Sequence, residues 1–340
     1  MTNIAITGAA GLVGRRTLEA LLADRAGFGT ILALDVRPTA PADRLEGVTH
    51  READVRDPAL GALLREHAID AVVHLASIVT PGAAGPELQH SVDVLGTQNV
   101  LEACAAAGVT HLTVTSSGAA YGYHADNPEW LSETSPLRGN EAFAYSRHKR
   151  IVEEMLARWR AERPALKQLV LRPGTILGRA VRNPITDLFE KPVILGLRGV
   201  AAPFVFIWDE DVARIIVAGV RGRREGIFNL AGDGTVTLRE IAAATGKWYL
   251  PLPASLVRGA LRVLRRAGLT QYGPEQVEFI RYRPVLKNDA LKETFGYTPR
   301  KSSREVFQLY LDSRRAAAAP PASVEARRHA APARPAEVVT

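Results

Sequence analysis

The chain has 340 residues, a net charge of +7 and one cysteine, Cys104. That length suits one large domain or two closely packed ones with ample core. A single cysteine precludes an intramolecular disulfide and makes a reducing cytoplasm the expected setting. No apolar run approaches the ~20 residues that span a bilayer, and a first strand at Asn3 leaves no room for a signal peptide. Part of the positive charge belongs to the tail, where Arg314, Arg315, Arg327, Arg328 and Arg334 face only Glu325 and Glu337. With no zinc-like Cys/His spacing and no basic stripe interleaved with aromatics, the expected partner is a small-molecule substrate, with no nucleic acid and no metal.

Asn3 to Thr7 reads as a buried strand. It runs directly into Gly8-Ala9-Ala10-Gly11-Leu12-Val13-Gly14 and a helical pattern from Leu12 to about Ala26. Glycines there let the backbone turn, approach a pyrophosphate and pack the helix on the strand. The helix start at Leu12 and Val13 offers N–H groups to phosphate oxygens. Ile31 to Asp35 is the second strand, and Asp35 falls where a carboxylate accepts hydrogen bonds from the adenosine ribose and repels a 2′-phosphate. That favours NAD, with NADP the lesser reading, because Arg37 could pair with the same phosphate.

Ala53 to Asp57 ends a third strand, with Asp57 placed to cap the following helix before Pro58. Ile69 to Ala76 is a fourth strand. Its His74 is read as a hydrogen-bonded core histidine without chemistry. A glycine-rich loop follows, then a long helix from Glu87 to Ala107 in which Cys104 is a packing residue. His111 to Thr115 is the fifth strand and empties into Ser116-Ser117-Gly118. Strands alternating with helices at this rhythm predict an α/β fold with a Rossmann-like, doubly wound parallel sheet. Ligands on such sheets sit beyond the carboxyl ends of the strands, where both Gly8 and Ser117 fall.

Tyr145 and Lys149 open a helix that runs to about Arg163, and their spacing places phenol and ammonium on one face. A free phenol ionises near pKa ~10. A neighbouring ammonium, and the positive charge of oxidised nicotinamide, both favour the phenolate, which could then accept a proton from a secondary alcohol.

Taken together, Thr7-Gly8-x2-Gly11-x2-Gly14, Asp54 with Asp57, His74-Leu75-Ala76, Ser116-Ser117-x3-Tyr121-Gly122 and Tyr145-x3-Lys149 make the chain resemble the extended short-chain dehydrogenases/reductases of the NAD-dependent epimerase/dehydratase family. The resemblance is strong over residues 3–178 and weaker to about Leu311. It implies that Asp54 and the Val55 backbone hold the adenine and that Leu75 and Ala76 line the dinucleotide. It further implies that Ser117 bonds the reacting oxygen, Tyr145 moves the proton and Lys149 holds the nicotinamide ribose. Leu171-Arg172-Pro173-Gly174 matches the turn on the nicotinamide side.

Three departures stand out. Asp93 replaces a usual asparagine, which questions a proton relay through that helix. Gly174 replaces a larger residue, and Phe204 replaces an arginine that commonly meets a nucleotide-sugar diphosphate.

The division expected from this pattern is an NAD-binding unit over 1–178, to which 204–222 returns. A smaller, mostly helical substrate lobe covers 179–203 and 223–315, and a disordered Ala/Pro/Arg tail covers 316–340. Thr237 and Glu240 have capping-box spacing at the start of a helix. In the helix expected over 254–268, Arg258, Arg262, Arg265 and Arg266 share one face, and Leu256, Val257, Ala260, Leu261, Val263 and Leu264 take the other. The first reading docks its apolar face on the core and solvates the arginines. The second lays it on a membrane surface as a peripheral contact, or over an apolar substrate. A homodimer is the expected assembly.

The function these observations predict is oxidation of a secondary alcohol with NAD, directly or transiently within an epimerisation. The alternative is a nucleotide-sugar 4-epimerase of the UDP-glucose 4-epimerase type. A non-catalytic NAD sensor has no need of Ser117, Tyr145 and Lys149 together. Phe204 and the apolar run to Ile207 favour a more apolar, lipid-like or steroid-like alcohol over a nucleotide sugar.

Overall fold

Short apolar runs that can be buried on both faces build the central sheet. The computed structural model describes residues 1–79, 85–179, 181–270 and 272–318. Its first half contains β1 (Thr2–Thr7), α1 (Leu12–Ala23), β2 (Phe28–Asp35), β3 (Thr49–Glu52), α2 (Leu60–Glu66) and β4 (Ala71–His74). There follow α3 (Pro86–His90), α4 (Gly96–Ala107), β5 (His111–Thr115), α5 (Ala144–Glu162) and β6 (Lys167–Pro173). The second half adds β7 (Thr175–Leu177), α6 (Pro184–Glu190), β8 (Val193–Leu197), β9 (Pro203–Phe204), β10 (Phe206–Trp208), α7 (Asp209–Arg221) and β11 (Gly226–Leu230). It closes with β12 (Val236–Thr237), α8 (Leu238–Thr245), β13 (Trp248–Leu252), α9 (Ala254–Arg266), α10 (Gln276–Arg281), α11 (Asp289–Glu293) and α12 (Ser303–Ala318).

Among the described residues seven strands form one parallel sheet in the order β11-β6-β5-β4-β1-β2-β3. The order reverses at β1, so the crossover helices cover both faces and the fold is Rossmann-like and doubly wound. Leu18 and Leu21 of α1 meet Ile215, Ile216 and Val220 of α7 on one face. Leu60 and Leu64 of α2, Val100 and Leu101 of α4, and Val152 and Leu156 of α5 cover the other. Cys104 belongs to that second core; it is buried, and burial pushes its thiol up to about 12, which makes it a packing residue. A separate core around Phe189, Phe204, Phe206, Ile241, Val306 and Phe307 holds the smaller C-terminal region together.

Several boundaries differ from the sequence reading, each for a local reason. Gly226–Leu230, expected in the substrate lobe, pairs in parallel with β6 and extends the sheet. The third strand lies at Thr49–Glu52, before the expected Ala53–Asp57, because 54–57 is a turn closed by the Asp57 amide donating to the Asp54 carbonyl. Asp57 accepts from the Ala59 amide at 2.8 Å but does not cap α2, which starts at Leu60. The long helix expected over 87–107 contains a π-turn at Ser91–Leu95, between α3 and α4. The last helix continues through Ala318, so 316–318 is not part of a tail; the rest of that expectation, and residues 80–84 of the glycine-rich loop, lie outside the described residues. Thr237 caps α8 as expected, accepting from the Glu240 amide while Glu240 accepts from the Thr237 amide at 2.8 Å.

His74 ties three layers together. One ring nitrogen meets the Thr7 hydroxyl of β1 at 2.7 Å and the other the Thr97 hydroxyl of α4 at 3.0 Å. It is a hydrogen-bonded core residue, and burial, with a smaller push from Lys149, lowers it to about 3. The folded state therefore binds fewer protons than the unfolded state between that value and the ordinary 6.5. The sign follows directly: the His74 contribution is fully present above about pH 6.5 and is lost as pH falls, at up to ~1.4 kcal/mol per pH unit. Buried His111 and His148 shift in the same direction. Urea midpoints should fall steadily from about pH 7 to about pH 5, and His74→Gln should show a shallower fall even if it starts from lower stability.

Candidate active site

Strand register gathers the expected ligand-binding residues at one edge. Thr7 lies beside Leu34 on one side and His74 on the other, and Thr115 lies beside Leu171. The residues just beyond the strand ends, Gly8, Val36, Leu75 and Ser116, and Arg172 near the end of β6 therefore fall along the carboxyl edge of the sheet. Gly8 has φ +71°, and a Cβ there would sit 2.7 Å from the Ala76 amide nitrogen, so the Leu75–Ala76 segment itself requires glycine. At Gly14 a Cβ would meet the Gly8 carbonyl at 2.4 Å, which is how closely α1 packs on its own loop. Gly11 caps α1 with no side-chain bond, and no acidic residue sits in the first turn, so the helix start at Leu12 and Val13 suits a phosphate.

Asp35 ends β2. It accepts from the Ala10 amide at 2.9 Å, and from the Arg37 amide and guanidinium at 3.0 and 3.1 Å. The carboxylate is thus locked to the glycine loop and its charge is partly met by Arg37. A cavity of about 260 Å³ opens beside them, with Ala9, Ala10, Arg15 and Arg37 in its wall. The carboxylate of Asp54 is gripped by Arg56, which holds it below its usual range, and Val55 packs under Gly96. Glycine loop, uncapped helix start and strand-end carboxylate together fit a dinucleotide.

Segment 115–119 is sewn to α5 by three side chains on one face of that helix. Ser146 donates to the Ala119 carbonyl at 2.7 Å, Lys149 donates to the Thr115 carbonyl at 3.1 Å, and Glu153 accepts from the Ser116 hydroxyl at 2.6 Å. Ser117 lies between these ties. Its Oγ accepts from the Ala119 amide at 3.1 Å, which leaves the hydroxyl proton free to donate outward. Tyr145 and Lys149 share the helix face as expected, with the Lys149 ammonium 5.6 Å from the phenol ring centre. The expected lowering of the phenol does not follow. Burial pushes Tyr145 up to about 12; the Ser117 hydroxyl works downward and the Asp93 carboxylate upward. Burial lowers Lys149 too, against Asp93 and Glu153, which favour its charge.

Asp93, in the π-turn, is buried and accepts from the Ser77 hydroxyl at 3.0 Å and the Ile78 amide at 2.9 Å, with a His148 ring nitrogen at 3.4 Å. Its carboxylate pins the chain that leaves β4.

Beneath Ser116 lies a buried network. Arg172 makes a two-pronged bond to Glu153, at 2.7 and 2.6 Å, and donates to the Tyr121 hydroxyl at 2.8 Å and the Glu133 carbonyl at 2.9 Å. Tyr121 in turn donates to Asn229 of β11 at 2.7 Å. Burial opposes the guanidinium charge, but Glu153 more than restores it and holds Arg172 above its ordinary value. A charged residue in an otherwise apolar strand, and a glutamate one turn beyond Lys149, were the legible signals of this pair.

The substrate side departs most from expectation. Phe204, Val205, Phe206 and Ile207 are all buried, with Phe204 and Phe206 stacked in the C-terminal core, so these side chains do not form an apolar pocket wall. Gly174 is small because a Cβ would strike Val205 at 2.8 Å. Over the Phe204 ring, 3.8 Å from its centre, lies the guanidinium of Arg283, reaching in from beyond α10. Its Nη2 is 3.4 Å from the Thr175 hydroxyl, just past Pro173 at the end of β6. Among the described residues its Nε and Nη1 are buried without a hydrogen-bond partner. Burial lowers Arg283 to about 10.

Tyr123, Phe143 and Phe279 pack beside it, with ring centres 4.9 to 6.1 Å apart. Tyr123 feels both Arg283 and Tyr145 electrostatically. Arg283 is therefore the cation this site acquires, together with an aromatic cover that no motif announces. Among the described residues no cluster of His, Cys, Asp and Glu could hold a metal ion.

Fold and site define a nucleotide-binding α/β chain with a Rossmann-like sheet, and comparison with known proteins makes this specific. The chain belongs to the NAD dependent epimerase/dehydratase family, whose profile matches residues 4–231. It is 35% identical over 189 residues to the L-arabinose 1-dehydrogenase (NAD(P)(+)) of Haloferax volcanii, covering 52% of this chain and 68% of that one. It is 31% identical over 191 residues to the N-acetyl-alpha-D-glucosaminyl-diphospho-ditrans,octacis-undecaprenol 4-epimerase of Escherichia coli O157:H7, covering 56% and 53%. The UDP-glucose 4-epimerase of Thermus thermophilus, solved with NAD, superposes with a TM-score of 0.71 at 25% identity over 93% of this chain and all of that one.

The Arg172–Glu153 pair should be the most sensitive point of this edge. Arg172→Met strands a buried carboxylate and should cost about 3–5 kcal/mol, read as a lowered urea midpoint with unchanged slope. The loss should exceed that of Arg56→Met, whose pair with Asp54 is solvent-facing.

Proposed function

We propose that the chain reversibly oxidises a secondary hydroxyl of a sugar carried on a diphosphate, in the manner of a 4-epimerase. The observation that carries this is Arg283, a guanidinium with two nitrogens that lack acceptors among the described residues, next to Thr175 and Tyr123. Leaving charge-capable donors unmet in a buried place is costly, and an anionic substrate group would relieve that cost. The names of the two epimerase relatives, a UDP-sugar enzyme and a diphospho-undecaprenol sugar enzyme, support the same class. The apolar-alcohol reading loses its main support, because Phe204 is covered by Arg283.

NAD, when bound, supplies the redox partner for the substrate carbon, held by the Gly8–Gly14 loop, Asp35, the segments at Asp54–Val55 and Leu75–Ala76, and Pro173. The chain supplies the rest. Ser117 donates its free proton to the reacting oxygen and so stabilises negative charge there. Tyr145 exchanges the hydroxyl proton. Lys149 adds positive charge beneath the ring and offers its remaining donors to the ribose. A phenol held near 12 is protonated at neutral pH, ready to act as the acid when a carbonyl is reduced. As a base it is scarce, so kcat/KM for alcohol oxidation should climb with pH from about 7 to about 9, while carbonyl reduction stays flat over that range. A cytoplasmic setting goes with this chemistry.

Likeness to an L-arabinose dehydrogenase supports a second reading, net oxidation with release of the product. Incubation with NAD and UDP-glucose separates the two: a 4-epimer appearing by NMR without build-up of reduced nicotinamide is the expected result, and stoichiometric reduced nicotinamide selects the dehydrogenase.

Three variants or ligands test the assignments. Tyr145→Phe should lose about two to four decades of turnover while still binding NAD; near-normal turnover would remove Tyr145 from the mechanism. Arg283→Leu should weaken calorimetric UDP binding by about one to two decades without lowering the thermal midpoint, because it also removes an unmet buried cation. Equal UDP affinity would end the diphosphate reading. NAD should bind several-fold more tightly than NADP through Asp35, and the reverse order would assign the pocket to Arg37 and Arg15.

A further inference from the structure

Helix α9 docks less of its apolar side than the first expectation held. Val257 and Leu261 are half-buried, and Arg258, also half-buried, and exposed Arg265 pair with Glu278 and Glu275 beside α10, Arg265 at 3.1 Å. At 100° per residue, Leu256, Ala260, Val263, Leu264 and Ala267 fall within an arc of about 100°, and every one of them is exposed. Leu256 is 57% and Val263 66% accessible. Arg262 and Arg266, also exposed, border this arc on one side, and the helix carries no acidic residue. Immediately upstream, β13 presents Trp248, 82% accessible, and Leu250, which is in register with the exposed Leu195 of β8.

An unpartnered apolar arc bordered by cations is the form of a helix that lies in a bilayer interface. Its apolar side chains sit at the acyl boundary while arginines snorkel to phosphate groups. The exposed Trp248 upstream of the helix is of the residue type enriched at such an interface. Charge favours this over self-association: an antiparallel twofold pairing of this face sets Arg262 and Arg266 beside their own copies with no acidic residue on the helix to offset them, whereas an anionic headgroup layer complements them. No described helix is long and apolar enough to cross a membrane, so the contact is with the surface.

We propose that α9, with the Trp248–Leu250 edge, docks the protein on an anionic lipid bilayer. The ion pairs that join α9 to α10 extend the consequence to the site. Phe279 of α10 packs on Tyr123 and Phe143, and Arg283 follows α10, so docking sets the aromatic cover of the pocket next to the lipid surface. The docking itself stands whatever the substrate is, and it is measured without one.

The test is co-sedimentation of the full chain with phosphatidylcholine vesicles, with and without phosphatidylglycerol. Binding should require the anionic lipid and weaken with salt. L256E/V263E/L264E, which touches no buried residue, should weaken binding about tenfold or more, as should R262E/R266E, both with unchanged circular dichroism and NAD affinity. R327S/R328S/R334S should bind like the parent chain, since the tail is not the contact. Vesicle binding that survives the α9 variants, or that disappears only in the tail variant, overturns the proposal. So does a parent chain that ignores vesicles but sediments as a dimer which L256E/V263E/L264E makes monomeric.

Discussion

The arrangement at the carboxyl edge depends on the buried pair between Arg172 and Glu153. Glu153 stands on α5, two helical turns beyond Tyr145, and Arg172 stands in β6 one residue before Pro173. Their two-pronged bond locks the angle of the helix against the sheet, and the Ser116 hydroxyl bonded to the same carboxylate fixes the residue next to Ser117. The positions of Ser117, Tyr145 and Lys149 are thus coupled through this charge pair and through the Ser146 and Lys149 bonds beside it. Such a pair gives little net stability against an apolar substitute, since desolvation offsets most of the attraction. Its value lies in direction: a planar guanidinium accepts few other geometries.

The same region contains a second arginine under opposite conditions. Arg172 has every prong engaged, whereas Arg283 has buried nitrogens without acceptors, and their pKa values move in opposite directions for that reason. One guanidinium is structural and complete. The other is costly as it stands, and such cost beside the candidate catalytic side chains is a common mark of a binding group. The aromatic rings around it lower the cost through their faces, 3.8 Å away at Phe204 and 4.7 Å at Phe279, without offering a hydrogen-bond acceptor. Phe204 in place of an arginine is therefore compatible with an anionic substrate, because the cation arrives from another part of the chain.

The pairing of α9 with α10 links this pocket to the outer surface. Glu275 and Glu278 hold Arg265 and Arg258 of α9, and much of the aliphatic face of the helix stays outward. An amphipathic helix normally buries its apolar face in the protein. Here Leu256, Val263 and Leu264 stay exposed among the described residues, while α10 supplies an aromatic ring to the cover of the site.

Much of the first half was legible in the sequence because its determinants are local. Gly8 needs a positive φ and close approach, β5 is a short apolar run ending at Thr115, Tyr145 and Lys149 are one helical turn apart, and Thr237 with Glu240 forms a capping box; each depends on residues a few positions away. His74 and Cys104 could be set aside as core residues for the same reason. What needed the tertiary structure was pairing across long separations. Gly226–Leu230 looks like any short strand until β6 offers it an edge. Asp93 reads as a substitution in a helix until Ile78 and His148 come to meet it. Arg283 was one arginine among several until it lay over Phe204, and the pattern of α9 is equally amphipathic whichever face turns inward. Periodicity reveals that a helix has two faces, but how much of each is covered is decided by the packing of α10, which places Glu275 and Glu278 opposite Arg265 and Arg258.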